Sequence, residues 1–327
     1  MAIPKLGGWV PLRVYQDREP FMIDWCYLGD RRFVEPFYDQ TIGACLEHPF
    51  NLLFRQQTTA AVLVERNRQD PGLKPSGFIF HMSRSGSTLI ARMLAALPQN
   101  IVISEASPIN SILKLRFTSG QISEQQNVEW LQAMVGAMGQ PRSGSEQHFF
   151  IKFEAWHVLM LHMIRKAFPN VPWIFTYRDP IDVLVSQMDH LGQIVPSALH
   201  YSLFGEDANS VVSMPPEEYS AIVLAAICNA ALSNHQDGGM LINYSQLPDA
   251  VCSSISDFFG VHWTDEEMAA MMNITGRHSK TPDQTFRNDS QKKREKATDE
   301  VRQAAERWLD PMYELLEKSR IEAGPQH

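Results

Sequence analysis

The alternation of apolar and polar positions changes period several times along the chain, and each change marks an element. Phe78-Ile79-Phe80 is a short continuous apolar run, the pattern of a strand buried on both faces. Ser83–Ser87 are then small and polar apart from Arg84. From Thr88 onward Leu89, Ile90, Met93, Leu94 and Leu97 recur at helical spacing until Pro98. The same strand-then-helix alternation repeats. Ile101-Val102-Ile103 precedes a helix opened by Ser107-Pro108, and a further helix spans Glu124–Met138 with Ser123 as its cap. Phe149–Phe153 precedes a helix with Trp156, Leu159, Met160, Met163, Ile164 and Ala167 on one face, stopped by Pro169. Trp173–Tyr177 runs into Arg178-Asp179-Pro180, where Asp179 suits a helix cap and Pro180 the first helical position. Residues 192–215 read as a long loop, Pro216–Ser233 as a helix and Met240–Tyr244 as a fifth strand. Helices follow near 246–259, near 264–273 and toward 319, the last kinked or restarted at Asp310-Pro311. Strands alternating with helices predict an α/β fold: a parallel sheet with helices on both faces.

Before residue 75 this alternation is absent. The segment is dense in aromatics and acids, including Trp9, Tyr15, Phe21, Trp25, Tyr27, Phe33, Phe37 and Tyr38. These are expected to pack residues 1–75 onto the main domain as an N-terminal extension; the competing reading is that part of the segment walls an acceptor pocket. Phe50–Arg66 reads as one helix. Asp70–Pro75, rich in turn residues, is the expected boundary with a domain spanning 76–327.

Composition narrows the function classes. Hydrophobic residues make up 44% and charged residues 20%, ordinary for a globular chain. A net charge of −8 disfavours nucleic-acid partners, which require a basic footprint. Cys26, Cys45, Cys228 and Cys252 are scattered, so reduced thiols in a cytoplasmic protein are expected rather than a disulfide frame or zinc site. The first residues lack the apolar core of a signal peptide, and no run approaches membrane-span length.

The candidate chemistry lies at the ends of the strands. Ser83–Ser87 links a strand to a helix, an arrangement that turns backbone N–H groups and the positive end of a helix dipole toward one spot and so suits phosphate. The nucleoside-triphosphatase motif Gly-x-x-x-x-Gly-Lys-Ser/Thr is absent: Ser87 follows Gly86, and the cation is Arg84. The stretch Arg84-Ser85-Gly86-Ser87-Thr88 resembles the 5′-phosphosulfate loop of sulfotransferases, which use 3′-phosphoadenosine 5′-phosphosulfate (PAPS). Tyr177-Arg178-Asp179-Pro180 through Ser186 resembles that family's 3′-phosphate motif, with Arg178 and Ser186 as the ligands it implies. Arginine suits the task because it stays charged and presents a planar fork. As a phosphate ligand alone, Arg178 should be removable at little cost to the stability of the unliganded protein. Phe150-Ile151-Lys152-Phe153-Glu154, followed by Phe168-Pro169-Asn170, resembles the family's catalytic-lysine region and makes Lys152 a point charge for the migrating group.

The resemblance extends over roughly residues 75–320 and implies a phosphate-binding-loop (P-loop) fold, PAPS as cofactor with its product 3′-phosphoadenosine 5′-phosphate (PAP), no metal, and a small-molecule or peptide acceptor. An acceptor hydroxyl or amine needs a base. Glu105 is placed like the base of protein-tyrosine sulfotransferases. Glu154 stands where cytosolic sulfotransferases carry a histidine, and His157 is a third option. Two departures stand out. Arg84 replaces a lysine and is a poor proton donor. The cytosolic enzymes' glycine-rich C-terminal motif is missing, and the basic stretch 277–296, with Arg277 and Lys280, is the expected substitute; its seven Lys/Arg against three Asp/Glu give a local charge of +4. His235-Gln236-Asp237 matches an iron-ligand tripeptide but falls at a predicted turn of a different fold. Two readings from other classes compete: a nucleotide kinase or hydrolase, and a non-catalytic nucleotide-binding relative.

Overall fold

The computed structural model describes residues 6–16, 21–118, 122–189, 214–276 and 290–324. Five strands form one parallel sheet flanked by helices: β4 (Gly77–His81), β5 (Asn100–Ser104), β6 (His148–Lys152), β7 (Trp173–Tyr177) and β8 (Gly239–Asn243), in the order β5-β6-β4-β7-β8. The remaining strands, β1 (Trp9–Gln16), β2 (Phe21–Tyr27) and β3 (Gln56–Thr59), form an antiparallel sheet in sequence order. The apolar runs of the parallel strands follow from burial on both faces; every residue of β4, β5 and β7 is buried.

By compactness the chain divides into two units. The first comprises Met1–Phe78, Ala91–Phe153 and His162–Val171; the second comprises Ile79–Ile90, Glu154–Leu161 and Pro172–His327.

In the first unit β5 and β6 pair in register from Asn100↔His148 to Ser104↔Lys152. Helices Ser107–Thr118 and Glu124–Met138 pack together, and Ser123 caps the latter through Gln126 N–H (3.2 Å). Among the early aromatics, Trp9, Tyr27 and Phe50 form a cluster with centroids 4.9–5.9 Å apart, and Phe21 meets Trp130 at 5.1 Å. The three-stranded sheet they belong to is not foreshadowed by the apolar pattern. The single helix expected over Phe50–Arg66 is instead helix Pro49–Leu53, strand β3 and helix Ala60–Gln69. The physical reason lies in its polar centre. Thr58 accepts a 2.9 Å bond from the Trp25 indole, and Thr59 caps the following helix through Val62 N–H (3.3 Å). β-Branched residues with a hydroxyl favour a strand edge and a cap over a helix interior.

In the second unit β7 and β8 pair from Trp173↔Gly239 to Tyr177↔Asn243. Helix α4 (Ser87–Ala95) follows the loop after β4, and its residues from Ala91 on belong to the first unit. Helix α8 (Pro180–Met188) follows β7, capped by Asp179, whose carboxylate accepts from Ile181 and Asp182 N–H (3.0 and 3.2 Å). The helix expected near 246–259 is broken into short turns at Tyr244–Gln246 and Asp249–Cys252 and a helix at Ser254–Phe258. The last helical stretch runs Asp299–Ala304, widens to a π-helical turn over Ala305–Leu309, and continues as Asp310–Glu322. Asp310 N–H donates to Ala305 O across the widened turn, and Pro311, which has no N–H to donate, stands in the first turn of the helix that follows. The loop expected at 192–215 lies outside the described residues as far as 213. Among those described, no helix is long and apolar enough to cross a membrane.

Candidate active site

The chain leaves β4 on its way to β5 and leaves β7 on its way to β8, toward opposite edges of the sheet. β4 and β7 are neighbours, so their C-terminal ends flank a topological switch point, where open parallel sheets place their ligands. Both candidate anion motifs of the second unit stand there. Met82 N–H donates to Thr176 O at 3.0 Å, fastening the first turn of the loop to the end of β7. The Ser85 side chain, fully buried, points inward to Thr176, 2.8 Å from both its carbonyl and its hydroxyl. Ser85 therefore serves the loop's shape through its side chain and leaves its backbone N–H as the group available to an anion.

The loop's backbone is unusual. Ser83 (φ +72), Arg84 (φ +52) and Gly86 (φ +89) lie in the left-handed region, which costs a side-chain-bearing residue roughly 1–3 kcal/mol. Successive residues of this kind curl N–H groups into a concave nest for anions. Gly86 is required twice over, since a Cβ there would come within 2.5 Å of Leu247 Cδ1 and 2.9 Å of Tyr244 Cδ2. Ser87 and Thr88 open α4 and are buried.

Two bonds join the loop to α8. Gln187 Nε2 donates to Ser83 Oγ at 2.8 Å, and Arg84 Nη2 donates to the carbonyl of Ser186 at 3.4 Å. Arg178 sits at the start of the same turn. Its Nε and Nη2 donate to Asp182 Oδ2 (3.0 and 2.7 Å), and its guanidinium carbon lies 4.2 Å from the centroid of the Tyr244 ring. Both partners of that ion pair are buried, with side-chain exposures of 8% and 4%. The structure thus gives Arg178 a buried partner that its sequence context did not disclose, and the expectation that its loss spares the unliganded fold does not follow. A buried carboxylate left without its cation is strongly destabilising. Asp179 also pairs with Arg294 (2.9 Å), which brings helix Ser290–Lys296, the described end of the basic stretch, to the start of α8. Arg277 and Lys280 lie outside the described residues.

In the first unit, Lys152 and Glu105 are brought together at the ends of β6 and β5. The Lys152 ammonium is completely buried, forms a short ion pair with Glu105, and lies 5.0 Å from the centroid of the Phe37 ring. Glu105 is the third non-glycine residue with positive φ (+51) among those described, and its N–H donates to Lys152 O at 2.8 Å. Glu154, in the second unit, accepts from the Trp156 indole at 2.9 Å, while its own N–H donates to Nδ1 of the buried His157 (3.2 Å). That places Glu154 and His157 in the turn that starts the Ala155–Met160 helix. Among the described residues no cluster of three metal-capable side chains occurs.

Tyr244, Gln187 and Phe37 were not singled out as site residues by the sequence patterns. Tyr244 was the most accessible of them, because it follows directly on a predicted parallel strand, at the end where ligands bind.

Comparison with known proteins gives the arrangement a family. A family model described as "Sulfotransferase family" matches residues 75–265, more than half of the 327-residue chain. No curated protein matches. Among solved structures, a sulfotransferase from Alicyclobacillus acidocaldarius shares 15% identity over 76% of this chain and 96% of its own, with a TM-score of 0.45. A sulfotransferase from Mycobacterium avium shares 12% over 76% and 81%, with a TM-score of 0.42. The sulfotransferase domain of an olefin synthase from Synechococcus PCC 7002 shares 17% over 76% and 95%, with a TM-score of 0.38. On the family match, which spans β4 to β8 and the loops that follow them, this chain is a member of the Sulfotransferase family.

Proposed function

We propose that the protein transfers a sulfuryl group from PAPS to a hydroxyl or amine acceptor. The observation that carries this reading is the hydrogen-bonded union, within one unit, of the Ser83–Gly86 loop with the helix that follows Arg178. A loop alone suits any phosphate. A loop joined to a buried arginine stacked on an aromatic ring suits a nucleotide carrying phosphate at both ends.

The roles follow from the residues. N–H groups of the Ser83–Thr88 loop and the amino-terminal dipole of α4 hold the 5′ end. Arg178, kept in place by Asp182 and Tyr244, holds the 3′-phosphate, with Ser186 on the following helix. Arg84 neutralises charge that develops on the bridging oxygen of the leaving group and, as an arginine, keeps its own proton. Lys152 supplies a fixed cation for the sulfuryl oxygens. Glu105 accepts the acceptor's proton as the new S–O or S–N bond forms and the bond to the departing PAP breaks in line. PAPS itself supplies the activated sulfuryl group; the sulfuryl centre carries less charge than a phosphoryl, so the reading needs no metal ion. Glu154, bonded to Trp156 and His157, takes the structural role. Retention of Arg84, Lys152 and two carboxylates favours an active transferase over a binding-only relative.

Two measurements test the reading. PAP should bind far more tightly than AMP or ATP in calorimetry, and equal affinity for AMP removes the 3′-site assignment. With 35S-labelled PAPS and acceptor pools, Glu105→Gln should lower turnover by roughly 10²- to 10⁴-fold with donor affinity within a few-fold, and Glu154→Gln distinctly less. A dead Glu154 variant beside a nearly normal Glu105 variant exchanges the two roles.

A further inference from the structure

The register between β7 and β8 ends at the pair Tyr177↔Asn243. The next residue on each strand is a member of the candidate 3′ clamp: Arg178 on one, Tyr244 on the other. The strand ladder therefore stops one residue short of the two side chains that must face each other.

A side-chain network takes over at that point. Glu317, on helix Asp310–Glu322, accepts from both members of the last pair. Its Oε1 takes a short bond from the Tyr177 hydroxyl and a 2.8 Å bond from Asn243 Nδ2. Arg320, one turn further along the helix, donates through Nη2 to Glu317 Oε2 at 2.8 Å and through Nε to the Tyr177 hydroxyl at 3.0 Å. The Tyr313 hydroxyl accepts from Asn243 Nδ2 at 3.0 Å, and its ring meets the Tyr177 ring edge-on at 5.8 Å. Asn243 is the hinge of the arrangement. Its amide nitrogen reaches the helix, while its amide oxygen accepts from the N–H and hydroxyl of Ser245, both at 2.8 Å, and so fixes the turn that carries Tyr244.

Burial and the neighbouring Glu317 push the Tyr177 hydroxyl up from its ordinary value. For Glu317, burial works upward, but the bonds from Arg320, Tyr177 and Asn243 outweigh it and hold the carboxyl below its ordinary value. The bond to Glu317 raises Arg320. The protonation states that make the network are those favoured at neutral pH. None of Tyr313, Glu317 and Arg320 falls within the 75–265 span of the family match, so the family pattern does not supply this brace.

We infer that Glu317 is a positioning residue for donor binding: the C-terminal helix, through Tyr177 and Asn243, holds Arg178 and Tyr244 at the spacing that grips a 3′-phosphate. The inference rests on the proposed PAPS reading. The physical step is short, because each braced residue is joined to a clamp residue by one peptide unit, 3.8 Å between α-carbons. A small rotation of either strand end is therefore passed on to the guanidinium or the ring.

The test uses the full chain with Glu317→Ala, Glu317→Gln and Tyr177→Phe, titrated calorimetrically with PAP and with AMP. Outer partners of ligand-holding residues typically govern 10- to 100-fold in affinity at metal sites, and a similar scale is expected here. Glu317→Ala should lose about 10-fold or more in PAP affinity while AMP changes about 2-fold or less, so the preference for the 3′-phosphate shrinks. Glu317→Gln, which keeps an acceptor oxygen but not the charge, should fall between, as should Tyr177→Phe. A role confined to stability would lower the unfolding midpoint and leave the PAP-to-AMP ratio untouched; that result overturns the inference and leaves the donor reading standing. A wild-type protein that does not distinguish PAP from AMP refutes the donor reading and the inference with it. Should Glu317→Ala fail to fold, the two milder variants decide by the same ratio.

Discussion

Replacing Arg178 by alanine should damage the protein twice, and the two losses can be measured apart. The first appears without ligand. Arg178 and Asp182 are both buried, and Asp182 Oδ1 has no hydrogen-bond partner among the described residues. Asp182 Oδ2 takes both of its guanidinium bonds from Arg178. Removing the guanidinium strands a carboxylate at 4% exposure, and breaking a buried pair in this way costs about 3–5 kcal/mol. The second loss appears only with donor: an unmet phosphate charge should cost about 2–5 kcal/mol of PAP binding, by analogy with truncated charge pairs at interfaces. Urea unfolding of Arg178→Ala, Asp182→Asn and the double variant, followed by tryptophan fluorescence, reads the first. The single arginine variant should lose about 3–5 kcal/mol, and the double variant should regain most of it because no charge is left buried. Neither variant should bind PAP well. Hydrogen exchange in α8 locates the damage if unfolding proves to have more than one step. The reasoning is refuted if Arg178→Ala unfolds within about 1 kcal/mol of wild type. It is equally refuted if adding Asp182→Asn brings no recovery.

Gly86→Ala should destabilise by about 2–6 kcal/mol. A left-handed backbone costs a Cβ-bearing residue roughly 1–3, and overpacking against Tyr244 and Leu247 a further 1–3. Urea unfolding checks this, and a variant as stable as wild type would mean the loop relaxes freely. Glu146 sets an acid-limb prediction. Burial would raise its carboxyl, but N–H groups of Ser143 and Arg142 and the Ser143 hydroxyl hold it at about 2, against an ordinary 4.5. A depressed folded value contributes stability above pH 4.5 that is lost as the pH falls toward 2. Glu146→Gln should flatten the pH dependence of the unfolding free energy across that window, and an unchanged slope would refute the assignment.

The parallel sheet was legible because each of its strands centres on three consecutive apolar residues, and a helical period, a cap or a proline marks the helices after β4 to β7. Asp179-Pro180 and Ser123 announced their helices and cap them as expected. The antiparallel sheet was not legible, because β3 is Gln-Gln-Thr-Thr: its pairing is decided by Trp25 and by the neighbouring strand, contacts distant in sequence. The same distinction runs through the candidate site. The loop and Arg178 are local motifs and could be read. The pairing of Arg178 with Asp182 is also local, at helical i,i+4 spacing, yet nothing in the residue types says that both are buried. Tyr244 stacked on Arg178 and Glu317 bridging two strand ends join positions far apart in the chain, and no periodicity carries such a contact.

The inward-facing Ser85 has a kinetic consequence. Its hydroxyl fastens the loop to β7, Gln187 holds Ser83, and Tyr244 and Leu247 fill the space beside Gly86. A cradle fastened at three points has already lost the conformational freedom that a mobile phosphate loop surrenders only when its ligand arrives. Capture of an anion should then resemble insertion into a mould more than the closing of a hand. Rapid-mixing traces would rise in a single phase whose rate climbs linearly with ligand concentration, with no plateau set by loop ordering. Affinity would be tuned through escape rather than entry.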